Sequence, residues 1–191
     1  MRSLAIIFAA VLALSAQDTP AHRAQVKLDK LSNSEYKPGE IVDFPPAEIN
    51  AWAAMKVPEV VPDGMRNPHV ELGAGEITAT ALVDFLKMRQ SHGQTTNRLM
   101  AAMLEGERPL KISVRIASSG GHCTVYLTRV ELSGVILEGS VLDFLIQNFF
   151  KPLYPDAKIN EPFDLDYNIE GLEVTPSSLR VKIRVKTEPR P

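Results

Sequence analysis

The residues of this chain that could do chemistry are few and scattered. It has four histidines and one cysteine. His69 lies two residues from Glu71, a spacing that puts both on one strand face, but two ligands do not make a metal site. His122 abuts Cys123, and neighbours on a strand point to opposite faces, so they are badly placed to act as base and thiol. Cys123 is in phase with Val125 and Leu127 and reads as a small core residue. A single cysteine excludes an internal disulfide and any multi-cysteine metal site. His22 falls in the N-terminal segment, and His92 precedes Gly93 in a loop. Ser118 and Ser119 lack the glycine-flanked elbow of a serine hydrolase. Gly73-x-Gly75 has no following helix to receive a phosphate. Asp164 and Asp166 could form a carboxylate pair, but cross-strand ion pairs account for them better. The residues therefore predict a non-enzyme with no metal and no cofactor.

What stands out instead is apolar. Ser140 to Phe150 reads as a helix, opened by Ser140 with Asp143 three residues on, a capping box with a shorter acid. Leu142, Leu145, Ile146 and Phe149 form an i, i+3, i+4, i+7 stripe, which Val141, Phe144 and Phe150 widen over most of the circumference. Such a helix is buried on several sides or faces an apolar ligand. Pro152 is expected to end it.

Other elements must position this helix. Polar Ala24 to Glu35 reads as a short helix, with a linker as the alternative. Glu40 to Phe44 is extended. Pro46 suits a first helical position, Glu48 favours the positive end of the helix dipole, and Ile49, Trp52 and Ala53 share a face. A helix over Pro46 to Met55 follows, stopped by Pro58 and Pro62. Val70 to Leu72 leads through Gly73-Ala74-Gly75 into a strand whose alternation runs from Ile77 to Phe85. Leu99, Met100 and Met103 suggest a helix between Gln94 and Glu105. Leu110 to Ile116 and Cys123 to Leu132 form a hairpin around Ser118-Ser119-Gly120-Gly121. The return strand changes parity, which predicts a bulge near Thr128-Arg129. At the C-terminus, Phe163, Leu165, Tyr167 and Ile169 alternate, Gly171 marks a bulge, and Leu179, Val181, Ile183 and Val185 return after Thr175 to Ser178. Glu173, Glu170 and Asp166 are expected opposite Arg180, Lys182 and Lys186.

The 191 residues carry 21 basic and 23 acidic side chains, a net charge of -2, and this near-neutral balance argues against a nucleic-acid binder. Apolar residues at 45% and charged residues at 23% are ordinary globular values. The apolar run from Leu4 to Leu14 is short for a bilayer span and right for a signal-peptide core, with a small-x-small cleavage site near Ser15 or Ala16. No cysteine lies there to carry a lipid anchor. The expected organisation is a signal peptide over 1–16, a linker or short helix over 17–39, one α+β domain over 40–186 and a tail over 187–191. Export to the periplasm or beyond follows.

Four segments carry a family resemblance. They are Phe44-Pro-Pro-Ala-Glu-Ile-Asn50-Ala51, Gly75 to Asp84, and Val130 to Ile146, followed by the hairpin segment Asn168 to Thr175. Over about residues 36–186 the chain resembles small secreted bacterial relatives of the tubular lipid-binding (TULIP-like) proteins. Glu48 and Asn50 occupy the family's acidic and asparagine positions, while Ile136-Leu-Glu-Gly139 replaces its proline-rich turn. The resemblance implies a curved antiparallel sheet packed around two or three helices, with an apolar groove for acyl chains. Trp52, Phe85, Phe144, Phe149 and Tyr167, with Ile77 and Val83, are the candidate groove residues. The expected function is binding of a lipid or other long apolar ligand at the cell envelope, with peripheral membrane contact, no nucleic acid and no transmembrane segment once the leader is removed. The alternative is an envelope interaction module with a packed core and no ligand.

Overall fold

A computed structural model describes residues 19–60, 64–91, 93 and 105–185, apart from the side chains of Ser91, Asn148, Phe149 and Leu153. The leader, the helix expected between Gln94 and Glu105, Pro62, His92, Lys186 and the tail lie outside the described residues. The fold is α+β with antiparallel strands, arranged as two sheets.

The first sheet is built from the two ends of the described chain. β1 (Ile41–Phe44) pairs with β9 (Leu179–Ile183), which pairs with β8 (Ile169–Val174). Val42 and Phe44 alternate inward along β1, as do Val181 and Ile183 along β9. Two helices close over them. α1 (Pro20–Ser32) starts two residues after position 18 and four before the helix expected at Ala24; the Thr19 side chain caps it by accepting from the His22 N–H. It supplies Ala24 and Leu31 to a core shared with Val42, Phe44, Val181 and Ile183, with Ile49 and Trp52 packed on it.

α2 (Pro46–Val60) continues five residues beyond the expected end at Met55, with Pro58 inside it. A proline removes the hydrogen bond its own nitrogen would donate, so near a helix end its cost is limited to the last turn. α2 is anchored on two sides. Glu48 is buried and accepts from Arg23 Nε at 3.1 Å and Lys27 Nζ at 2.6 Å, two side chains four residues apart on one face of α1. One turn on, Trp52 Nε1 donates to Gln25 Oε1 at 2.9 Å. Replacing Glu48 with Ala removes the buried carboxylate that both cations bind. Charged hydrogen bonds contribute about 1.5–3 kcal/mol each, but Arg23 and Lys27 are partly exposed and solvent screens them. Glu48→Ala is therefore expected to cost about 1–3 kcal/mol, read as a lower urea midpoint with an unchanged slope.

The second sheet runs β2 (Met65–Leu72), β3 (Glu76–Val83), β4 (Arg108–Ser119), β5 (His122–Leu132) and β6 (Val135–Ile136); β7 (Pro162–Asp164) pairs with the other end of β5. The expected bulge is present: Ser113 pairs with Arg129 and Val114 with Leu127, leaving Thr128 unpaired, and this restores Leu127 and Val130 to one face. Asp84 ends β3 and starts α3 (Phe85–Ser91), its carboxylate accepting from the Lys87 N–H. Phe85 is thus a helical residue, not the last of the strand. The free edge of β2 is closed by Asn50, which donates to the Val70 carbonyl at 2.9 Å and accepts from the Val70 N–H at 2.7 Å, as a neighbouring strand would.

The C-terminal hairpin departs most from expectation. Residues 163 to 169 do not form one strand. β7 belongs to the second sheet, and the chain turns at Tyr167 and Asn168, both in the left-handed region (φ 57° and 59°), before β8 joins the first. Glu170 is the bulged residue beside Gly171. Ion pairs follow this geometry. Glu173 faces Arg180 in register but contacts Lys182 at 2.8 Å, Glu170 contacts Arg184 at 3.4 Å, and Arg180 turns to Asp43 of β1 at 3.1 Å. The Lys182 ammonium holds the Glu173 carboxyl below the usual range.

Candidate functional site

The second sheet has unlike faces. Thr78, Ser113, Lys111 and Arg115 occupy one, with Thr78 and Ser113 hydroxyls 2.8 Å apart. Leu110, Ile112 and Val114 of β4, and Val125, Leu127 and Val130 of β5, occupy the other. These central strands would be fully covered in a packed sandwich, yet Ile112, Val114, Val125 and Leu127 are only half-buried. They form the floor of a cleft of about 740 Å³. Ligand pockets typically measure about 300–1,000 Å³.

Three elements wall the cleft. α3 gives Phe85 and Met88, packed against Val83. α4 (Gly139–Leu145) gives Leu142 and Leu145. No residue of α4 is fully buried, and its Leu145 packs against the Val83, Phe85 and Met88 cluster. Its N-terminus has no side-chain cap, so the expected Ser140–Asp143 box does not form; the cap position falls at Glu138. Beyond Leu145 the chain takes a π-helical turn over Ile146–Phe150 and then one α-helical turn, Lys151–Leu153, with Pro152 inside it. The i→i+5 register of a π turn brings Phe150 into line with Leu145. Ile146 and Phe150 therefore line the cleft. The strict 3.6-residue stripe pointed to Phe149, whose side chain lies outside the described residues.

The third wall is the loop from Tyr154 to Ile159. Lys151 Nζ donates to the Ala157 carbonyl at 2.6 Å. Asn160, in the left-handed region, donates its N–H to the Val125 carbonyl and accepts from the Leu127 N–H, both at 2.9 Å. Asn160 thus holds the loop on β5 as Asn50 holds α2 on β2. Asp156 and Lys158 are the charged residues of the lining.

The sequence-predicted groove residues are separated by the fold. Phe85 and Val83 line the cleft. Trp52 lies in the first sheet's layer, packed on the Val181 and Ile183 core. Tyr167 is 52% exposed at the turn between the sheets, because the strand that would have carried it inward is broken there. Phe144 sits on α4 but 47% exposed, on the side away from Leu142 and Leu145. Ile77 is in the second sheet but outside the lining. Sequence reasoning missed Ile112, Val114, Val125 and Leu127, although their alternation had placed them on one apolar face. The missing information was that, among the described residues, these side chains stay half-buried.

The reactive residues gain little. Cys123 is buried, and burial pushes its thiol up, partly offset by the Ser118 hydroxyl; such a thiol is a poor nucleophile. His122 Nδ1 contacts Asp164 Oδ1 at 2.7 Å, and Ser119 is the register partner of His122, so a Ser-His-Asp row crosses three strands. The pairing of β7 with β5 creates this row, which the sequence assigned to a hairpin. Both His122 and Asp164 are well exposed and neither borders the cleft. His69 and Glu71 do meet, at 3.9 Å. Among the described residues no group of three metal-ligating side chains occurs, and no helix is long and apolar enough to cross a membrane. No protein-family model, no curated protein and no solved structure matches this chain.

Proposed function

We propose that this protein is an exported, non-enzymatic binder of a lipid or other single long apolar chain, held in the cleft between α3, α4 and the floor of β4 and β5. One observation carries the reading: the central strands of the second sheet leave their apolar face half-covered over a space of about 740 Å³. An apolar face of that kind is costly to leave wet, and an acyl chain covers it. Each buried CH₂ contributes about 0.8 kcal/mol. Ten such groups give about 8 kcal/mol, above the lower end, about 4 kcal/mol, of the cost of association. The lining offers little to any polar ligand, since Asp156 and Lys158 stand together at one loop. The leader-like run from Leu4 to Leu14 supports export, and the TULIP-like segments, which include cleft residues, support the same ligand class.

The test is native mass spectrometry of protein purified from its host's cell envelope, followed by solvent extraction. A bound mass in the range of a lipid, released by the solvent, is expected. Protein that carries no adduct and takes up none from added lipid favours a ligand-free interaction module instead.

A further inference from the structure

We infer that the cleft takes its ligand in one direction, with the tail toward α3 and an acidic head, a carboxylate or a phosphate, at the loop from Tyr154 to Ile159 beside Lys158. This deepens the reading of the cleft as a site for a single apolar chain and rests on it. The observation is that the two ends of the cleft differ. Leu110 marks one end, where it packs against buried Val83, Phe85 and Met88, and no polar side chain lines the cleft there. Val125 marks the other. It pairs with Ile116, six residues along β4 from Leu110, a distance of about 20 Å at the rise of an antiparallel strand. Asn160 fixes the loop at this second end through its bonds to Val125 and Leu127. The lining residues with a polar tip, Tyr154, Asp156 and Lys158, all belong to the loop.

A polar head at the α3 end has no partner in the lining, and burying an unpaired polar group is costly. That end suits a tail. The loop end is exposed and carries the few polar groups that orient a ligand in an apolar pocket.

Charge selects the head. Lys158 is exposed and, among the described residues, has no carboxylate at ion-pair distance. By contrast, Lys27, Lys56, Lys87 and Lys182 each meet one. Lys151 adds a second ammonium, 2.6 Å from the carbonyl of Ala157, the residue before Lys158. A neutral carbonyl leaves that charge uncancelled. Asp156 is the opposing charge of the lining, and it pairs with neither ammonium. Glu161 follows the Asn160 clasp and is no part of the lining. Two cations against one anion favour an acidic head, which accepts charge-assisted hydrogen bonds from an ammonium.

The experiment is calorimetric titration of the purified chain with a fatty acid, an alkyl phosphate, an alcohol and a trimethylammonium salt, all of one chain length. Lys158→Met removes the charge and keeps an apolar stem against the cleft. It is expected to weaken the acid and the phosphate by about two- to fivefold, the size of an exposed ion pair, and to leave the alcohol unchanged. Asp156→Asn is expected to tighten both, again with the alcohol unchanged. Of the acid and the phosphate, the one that binds wild type more tightly and loses more in Lys158→Met identifies the head. A Lys158→Met variant that weakens neither, or that weakens the alcohol as much, overturns the inference and leaves the cleft reading standing. So does a wild type that binds the trimethylammonium salt most tightly. No saturable binding of any of these compounds overturns the cleft reading, and this inference with it.

Discussion

Ile183→Asp is expected to yield a chain with no cooperative unfolding transition. Ile183 is 6% exposed at the end of β9, the central strand of the first sheet, and packs in the core with Leu31, Val42 and Val181. β9 joins β1, from the start of the fold, to β8, from its end, so no other strand can replace it. A carboxylate there has no cation within the core, and burying an unpaired charge costs several kcal/mol. A domain has only about 5–15 kcal/mol in total. The milder Ile183→Ala removes methylenes and leaves a cavity, a loss of about 2–5 kcal/mol, so it should fold with a clearly lower denaturant midpoint. An Asp variant that unfolds cooperatively near the wild-type midpoint contradicts the facing of β9.

Leu127→Trp is expected to abolish fatty-acid binding while leaving the fold intact. Leu127 pairs with Val114 at the middle of the cleft floor, and both are half-buried. An indole added there grows into open space, so the strain that accompanies overpacking a closed core does not arise. It occupies the volume an acyl chain needs, and displacing even a few methylene contacts at about 0.8 kcal/mol each weakens affinity by tenfold or more. Val83→Trp is the control. Val83 is 1% exposed behind Phe85 and Met88, and the same enlargement there overpacks and destabilises. Circular dichroism melts and fatty-acid titrations on both variants separate the outcomes. Equal affinity in wild type and Leu127→Trp contradicts the location of the site.

Local chemistry was legible in the sequence and long-range placement was not. Alternation along Leu110 to Leu132 set the strands, and a parity change located the bulge at Thr128 within one residue. The turn at Gly120 and Gly121, both at positive φ, follows from glycine alone. Gly73 to Gly75 likewise turned β2 into β3. The errors have local causes. Phe163 to Ile169 alternates like a single strand, but Tyr167 and Asn168 turn, so two sheets arise where one was expected. That break moved Tyr167 to solvent and separated Trp52 from Phe85. The π turn over Ile146–Phe150 was not legible, because a helical period read from sequence assumes 3.6 throughout. Glu48 and Asn50, which carried a family resemblance, prove to be anchors: one binds α1, the other closes the edge of β2. Nothing in the sequence marks Asn160 as the corresponding clasp on β5.

The cleft's occupancy by an apolar chain is the central claim, and calorimetric titration of the purified chain with a soluble single-chain fatty acid at several temperatures tests it most directly. The account predicts saturable binding whose enthalpy falls as temperature rises, because burial of apolar surface gives a negative heat-capacity change. A folded protein that shows no saturable heat at any temperature contradicts it.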